Sequence, residues 1–338
     1  MKALLIGGTG TISTAVSRLL LQKGWDIYLL NRGHRNDVLP ENIHWLNADV
    51  RDENSLRAAI GDATFDVVCD FIGFLPEQVA QDIRVFQGRC GQFIYISSAS
   101  AYHKPVAHYR ITEGTTLSNP FWKYSRDKIA CEHLLRQAIE DTGFPATIVR
   151  PSHTYDERTV PVAVHGNHGP WQVLSRILHD QPIIIHGDGS SLWTVTHNSD
   201  FAKAFVGLMG NPKAIGEAFH ITSDESLTWN QIMEMTAHAL GKELHACYVP
   251  SSLLAQAPQY DFRGSLLGDK ACSVVFDNTK VKSLVPDFVC TTPFCKGVQM
   301  SVDFILSHPE LQKPDDEFDA FSNKMVAAME SLGQIVSK

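Results

Sequence analysis

The first 150 residues alternate short, unbroken apolar runs with segments whose apolar positions recur at helical spacing. Lys2 to Ile6 is one such run. Thr11 to Lys23 follows as a helix with Ile12, Val16, Leu19 and Leu20 on one face. Asp26 to Leu30 reads as a second strand, a further strand ends just before Asp49, and Asn54 to Ile60 reads as helix. Then come a strand from Phe65 to Phe71, a helix from Gln78 to Phe86 and a strand from Gln92 to Ser97. A long helix from Lys123 to Asp141 and a strand from Ala146 to Arg150 complete the series. Strands that are apolar throughout, rather than at alternate positions, belong in a sheet covered on both faces. Their alternation with helices implies parallel pairing through crossovers. The pattern predicts an α/β protein built on a doubly wound parallel sheet.

Beyond Pro151 the regularity drops and Pro, Gly and His become frequent up to Gly189. Residues 1–150 are therefore expected to form a dinucleotide-binding domain. Residues 151–338 are expected to form mainly a smaller, interleaved substrate domain, with a segment at about 195–215 returning to the first. Phe201 to Met209 and Trp229 to Leu240 read as helices. Near the end, Phe318, Phe321, Met325, Met329 and Leu332 fall at helical spacing, the pattern of a core-facing stripe.

Composition narrows the function classes. Of 338 residues, 44% are hydrophobic and 20% charged, which suits a globular chain and excludes global disorder. The 29 basic residues against 37 acidic give a net charge of −8, so no nucleic acid partner is expected. No apolar stretch approaches the ~20 residues needed to cross a bilayer, so no membrane association is expected either. The seven cysteines form no CxxC pair, which fits a reduced, cytoplasmic protein. His165 and His168 stand three apart in a glycine-rich loop with no third ligand in view, so no metal is expected.

The strongest chemical signal is Gly7-Gly8-Thr9-Gly10-Thr11-Ile12-Ser13, set between the first strand and the first helix. Glycine there permits a tight turn and close approach of backbone to a pyrophosphate, which the helix N-terminus then receives. Gly7, Thr9, Gly10, Thr11 and Ile12 are thus candidate cofactor contacts, with Ser13 standing where a third glycine is usual. The second strand ends Asn31-Arg32-Gly33 with no acidic residue to hold an adenosine ribose. Asn31 and Arg32 are candidate contacts, and an arginine there favours NADP over NAD because it can pair with a 2′-phosphate. Asp49 and Val50, past the next strand, are candidates for the adenine. Phe71, in Asp70-Phe71-Ile72-Gly73-Phe74, is a candidate at the end of its strand.

Tyr124 and Lys128 are four apart on the long helix and so share a face. An ammonium near a phenol favours the phenolate, which can take or return a proton. Ser98, at the carboxyl end of the Gln92–Ser97 strand, could share a substrate hydroxyl with Tyr124.

With these marks together, the chain resembles the extended short-chain dehydrogenase/reductase family, the NAD(P)-dependent epimerase/dehydratase type with a Rossmann sheet. The resemblance rests on the glycine turn at 7–13, Asp49, Ser98 to Tyr102, Tyr124 to Lys128, Arg150-Pro151, and Gly187-Asp188-Gly189 leading to Thr196–Asp200. It implies Tyr124 as the proton-transferring group and Ser98 as its hydrogen-bonding companion. Lys128 would hold the nicotinamide ribose and lower the tyrosine pKa, so Tyr124 and Lys128 count as cofactor contacts too. It implies a small, sugar-like substrate and a homodimer formed through the long helix and its neighbour. Three departures qualify it. Ala99 and Ser100 replace the acidic pair of dehydratases, which disfavours dehydration. Ser190 to Thr194 carries no cation for a diphosphate, though Arg176 or Arg263 could supply one from elsewhere. Asp70 to Phe74 is similar to a subgroup that includes chloroplast stem-loop RNA-binding proteins. The expected activity is an NAD(P)-dependent oxidoreductase or epimerase. The alternative is a non-catalytic dinucleotide-binding protein, RNA-associated or redox-sensing.

Overall fold

Seven parallel strands form the central sheet of the computed structural model, which describes residues 1–33, 39 and 43–337. They are β1 (Lys2–Ile6), β2 (Asp26–Asn31), β3 (His44–Asn47), β4 (Phe65–Asp70), β5 (Cys90–Ile96), β6 (Ala146–Pro151) and β7 (Ala218–Ile221). Their order across the sheet is β3-β2-β1-β4-β5-β6-β7. The order reverses between β1 and β4, and the carboxyl ends of these two strands open the crevice where such sheets take ligands.

The apolar strands are continuous because each feeds two cores. In β1, Ala3 and Leu5 join one cluster with Val16, Leu20, Phe201 and Phe205. Leu4 and Ile6 join the other with Leu56, Val79, Phe86 and Leu135. All four β1 side chains are fully buried, and each large one contributes about 1.5–3 kcal/mol. The first cluster is covered by α1 (Thr11–Gln22) and the helix Asn198–Leu208. The second is covered by α2 (Glu53–Ile60), α3 (Pro76–Phe86) and α4 (Lys123–Thr142). Pattern and structure agree on these elements to within a few residues at each end.

The return of the chain to the sheet runs further than 215, because Ala218–Ile221 pairs in parallel with β6. Its four residues include a buried histidine, His220, which obscures the apolar pattern. The ring is tied to the Tyr102 hydroxyl at 3.1 Å and to the Asp277 carbonyl at 2.8 Å.

A third cluster gathers short strands and helices from beyond residue 151, among them Ile183–His186 paired with Ala246–Val249. The helix Asp316–Val336 lays Phe318, Phe321, Met325 and Met329 on this core, while Leu332 is exposed. Among the described residues, no helix is long and apolar enough to cross a membrane.

Candidate active site

The turn after β1 is shaped to admit a ligand and to exclude side chains. Gly7 adopts φ +78°, and a Cβ on it would strike Ile72, while one on Gly8 would strike Leu29. The Gly7 N–H still bonds the Leu30 carbonyl at 3.0 Å, so the turn leaves directly from the sheet. Ser13, at the third glycine position, serves as a staple. Its hydroxyl accepts from the Gly10 N–H at 2.8 Å and donates to the Gly7 carbonyl at 2.7 Å. Ser17 donates to the Gly8 carbonyl at 3.0 Å and Thr14 to that of Gly10 at 2.8 Å. No side chain caps the start of α1, which leaves its first N–H groups to an anion.

Two cavities meet at this turn and share Gly7, Gly10, Ile72 and Phe74. The larger, about 730 Å³, is lined by Gly7, Thr9, Gly10, Asn31, Arg32, Asp49 and Val50. The smaller, about 350 Å³, is lined by Gly7, Gly10, Thr11, Ile12, Phe71, Ser98, Tyr124 and Lys128. Every catalytic and cofactor-contact residue expected from the sequence therefore lines one of two adjoining cavities. The sequence reading assigned no role to Arg51, Phe74, Leu75 or Gln78, which line the larger cavity as well. Their signal was faint, since three of them lie on the connection after β4 and the start of α3.

Arg51 changes the reading of Asp49. Its guanidinium donates to both carboxylate oxygens, at 3.0 and 2.6 Å, and its backbone N–H donates at 3.0 Å. These hydrogen bonds hold the Asp49 carboxyl well below the usual carboxylate range. Asp49 thus has an arginine partner, while Asp52 caps α2 by accepting from the Asn54 N–H. Exposed Arg32 and Arg51 give this end of the crevice two guanidinium groups. Among the described residues, the Asn31 amide nitrogen is buried there without a hydrogen-bond partner.

The other cavity holds the proposed chemistry. Ser98 follows β5, accepts from the Ser100 N–H at 3.2 Å, and shares a hydroxyl contact with Ser100 at 2.9 Å. Ser125 of α4 donates to Ser100 at 2.8 Å. The position that is acidic in dehydratases is here a hydroxyl that orients Ser98. Burial pushes the Tyr124 phenol up, and a hydrogen bond with Ser98 pulls it the other way. Trp122 lies 5.0 Å and Phe74 6.5 Å from the Tyr124 ring, centroid to centroid.

Lys128 is fully engaged one turn along the helix. Its ammonium donates to the carbonyls of Gly73 and Ile96, each at 2.7 Å, and to the Tyr95 hydroxyl at 3.2 Å. It stands 5.9 Å from the Tyr124 ring centroid, and burial pushes it down to about 8. With the ammonium committed to three oxygens, burial dominates the phenol and its pKa is raised rather than lowered. The unusual segment after β4 has a role here. Asp70 accepts from the Ile72 and Gly73 N–H groups at 2.9 Å each, fixing the carbonyl that holds Lys128. A Cβ on Gly73 would strike Asp70.

Helical spacing carries the same face one step further, to Glu132. Its carboxylate takes both arms of Arg150, at 2.8 and 2.5 Å, and the Ser97 hydroxyl at 2.6 Å. These contacts pin α4 to β5 and β6 beneath the reacting groups. Arg150, read from the sequence only as a family mark, is thus structural. Arg176 is committed elsewhere, to Asp319 at 2.6 Å and Asn323 at 2.9 Å, and Arg263 is exposed. Half-buried His153 lines the cavity with Ser98 and Tyr124, and burial pushes it down to about 3, so it is neutral near pH 7. Among the described residues, no group of three or more His, Cys, Asp or Glu side chains could hold a metal.

A family model for the NAD dependent epimerase/dehydratase family matches residues 3–222. The chain belongs to that family. A 2'-dehydrokanamycin reductase from Streptomyces kanamyceticus is 25% identical over 288 residues, spanning 85% of this chain and 80% of that protein. The chloroplast stem-loop binding protein of 41 kDa b from Arabidopsis thaliana is 27% identical over 256 residues, 71% of this chain and 63% of that protein. Among solved structures, an epimerase from Methanothermobacter thermautotrophicus matches with a TM-score of 0.75 at 17% identity, covering 92% of this chain and 94% of that one. UDP-glucose 4-epimerase from Thermus thermophilus, solved with NAD, matches with a TM-score of 0.71 at 19% identity, covering 91% and 100%. At such identities these structures speak for the fold.

The chain is an NAD(P)-dependent enzyme of the extended short-chain dehydrogenase/reductase type. Its residues fit the family's dinucleotide. The turn at Gly7 is a cradle that a Cβ would fill, the first N–H groups of α1 are uncapped, and Asn31 keeps a buried, unpartnered amide.

Proposed function

We propose that this chain is an NADP-dependent oxidoreductase acting on a sugar-like small molecule, working as a reductase of its carbonyl group. The observation that carries the reading is the meeting of Ser98 and Tyr124 in a cavity that opens onto the glycine turn. When bound, the nicotinamide supplies or receives the hydride. The chain's own groups manage the oxygen and its proton. The Ser98 hydroxyl donates to the substrate oxygen and steadies charge that develops there. The Tyr124 phenol, kept protonated at neutral pH by burial, donates its proton to that oxygen during reduction. Lys128, anchored by Gly73 and Ile96, would set its positive charge, rather than a free N–H, toward a bound nicotinamide ribose.

Reduction is supported by the raised phenol and by the likeness to a reductase over most of the chain. Ala99 and Ser100 leave no carboxylate to expel water. NADP is favoured by Arg32 and Arg51 at the adenosine end, where a 2′-phosphate would take charge-assisted hydrogen bonds. A homodimer through α4 and α3, in a reduced cytoplasmic setting, accompanies this reading. All seven cysteines are unpaired.

The test is a deuteride transfer assay. With NADPH deuterated at C4 and a panel of keto sugars, the label should appear at a carbinol carbon of the product, with net oxidation of the cofactor. Interconversion of hydroxyl epimers without net cofactor change would instead make the protein an epimerase.

A further inference from the structure

We propose that the substrate carries an anionic group, a carboxylate or phosphate monoester, and that Lys270 receives it across the Trp122 indole from Tyr124. This rests on the oxidoreductase reading and adds to it the class of substrate. Lys270 closes an eight-residue π-helix, Arg263–Lys270. Such helices are rare and recur at functional sites. The helix packs on the loop that leads into α4 so tightly that a Cβ on Gly264 or Gly268 would press on Trp122. Asn119 ties the Gly268 carbonyl, at 2.7 Å, to that of Ser100, at 2.9 Å. The Lys270 carbonyl accepts from Ser191 at 3.0 Å and from the Trp229 indole at 3.2 Å. The backbone that presents Lys270 is therefore fixed to the same segment that orients Ser98.

The side chain at the end of that backbone lacks a counterion in contact. Lys270 is 8% exposed, and among the described residues its ammonium makes no hydrogen bond and no ion pair within 4.0 Å. It lies 5.8 Å from the Trp122 ring, whose other neighbour is the Tyr124 ring at 5.0 Å. The adjacent carboxylate, Asp269, faces Lys104 instead, at 4.0 Å, and Lys104 is 2% exposed. Two buried lysines thus act on Asp269, and Asp261 is a second carboxylate within electrostatic range of Lys270, neither of them in contact with its ammonium. A buried ammonium left without a hydrogen-bond partner costs several kcal/mol; burial pushes Lys270 down while Asp269 and Asp261 push it back up, and an anionic ligand would complete its surroundings. The histidines near Lys270, namely His153, His165 and His186, are all pushed down by burial and so add no positive charge that would compete with Lys270 for an anion. Among the described residues, His186 and Trp193 each keep a buried ring nitrogen without a hydrogen-bond partner. The Tyr124 ring and the Lys270 ammonium both lie close to the one indole, at 5.0 and 5.8 Å, so both can be reached by one bound substrate.

Calorimetric titration of the NADP complex tests this, with glucose, glucuronate, glucose 6-phosphate and inorganic phosphate as the probes. At low salt, glucuronate or glucose 6-phosphate should bind at least tenfold tighter than glucose, and which of the two does so identifies the anion. Lys270→Met should bring that ratio close to one, while Lys270→Arg should keep it. Equal affinity for charged and neutral sugars, an unchanged ratio in Lys270→Met, or no binding of any anionic probe would each overturn the proposal. A Lys270→Met protein that does not fold leaves the charged-to-neutral ratio in wild type and Lys270→Arg to decide. Binding through Lys270 without any turnover would instead sink the oxidoreductase reading and leave this one standing.

Discussion

Glu132 grips Arg150 through both carboxylate oxygens, at 2.8 and 2.5 Å, with both side chains sealed from solvent. The pair lies two helical turns along from Tyr124 and one from Lys128, and it locks α4 against β6. Breaking such a pair leaves a buried, uncompensated charge. Glu132→Gln should therefore lower unfolding free energy by about 3–5 kcal/mol, and replacing both partners by Leu and Met should recover much of it. Denaturant titration of the three proteins checks this. A loss below ~1 kcal/mol in Glu132→Gln would show that the pair does not hold the helix.

Arg32 and Arg51 should select the cofactor. Arg51→Ala and Arg32→Ala are each expected to weaken NADP by about tenfold, a change near 1.4 kcal/mol, with a smaller effect on NAD. The NADP advantage should shrink as salt rises, because both side chains are exposed. Fluorescence titrations with both dinucleotides measure it. Equal affinity for NAD and NADP in wild type would end the NADP assignment.

Lys128 gives the protein a signature at alkaline pH. Its folded pKa, pushed down to about 8 from an ordinary 10.5, means that the native state sheds this proton while the unfolded chain still holds it. Burying the ammonium therefore costs stability below about pH 8, and that cost is relieved as pH rises toward 10.5. Relative to Lys128→Met, wild type should gain stability across that window. Activity should move the other way, with kcat/KM falling above about pH 8 as the positive charge of Lys128 is lost from the site. Parallel pH profiles of stability for the two proteins would refute the assignment.

Ser13 should matter as a staple rather than as a spacer. Ser13→Ala removes two hydrogen bonds from the glycine turn, for an expected loss of about 1–2 kcal/mol and weaker dinucleotide binding. Ser13→Gly, which restores the commoner residue, should lose the same bonds. A Ser13→Gly protein as stable as wild type would show that the staple contributes nothing.

Much of this architecture was legible before any coordinates. Unbroken apolar strands such as Lys2–Ile6 announce a doubly covered sheet, and Gly7 to Ser13 marks where its ligand enters. Spacing placed Tyr124 and Lys128 on one face. What sequence could not supply was who else competes for a charged group. Asp49 looked free for an adenine but is held by Arg51, two residues away. Lys128 looked like a partner for Tyr124 but is taken by the Gly73 and Ile96 carbonyls, one from the connection after β4 and one from the end of β5. β7 stayed hidden because His220, polar and fully buried, depends on Tyr102 and Asp277, both distant in the chain. Lys270 carried no motif, and its position emerges only once the π-helix docks on Trp122.

Replacing Tyr124 with Phe, with turnover and NADPH affinity measured side by side, tests the central claim most directly. The variant should lose about 10²–10⁴-fold in kcat, the range for a positioned proton donor, while NADPH binds within about twofold of wild type. Retained turnover would contradict a proton role for this phenol and with it the account of the site.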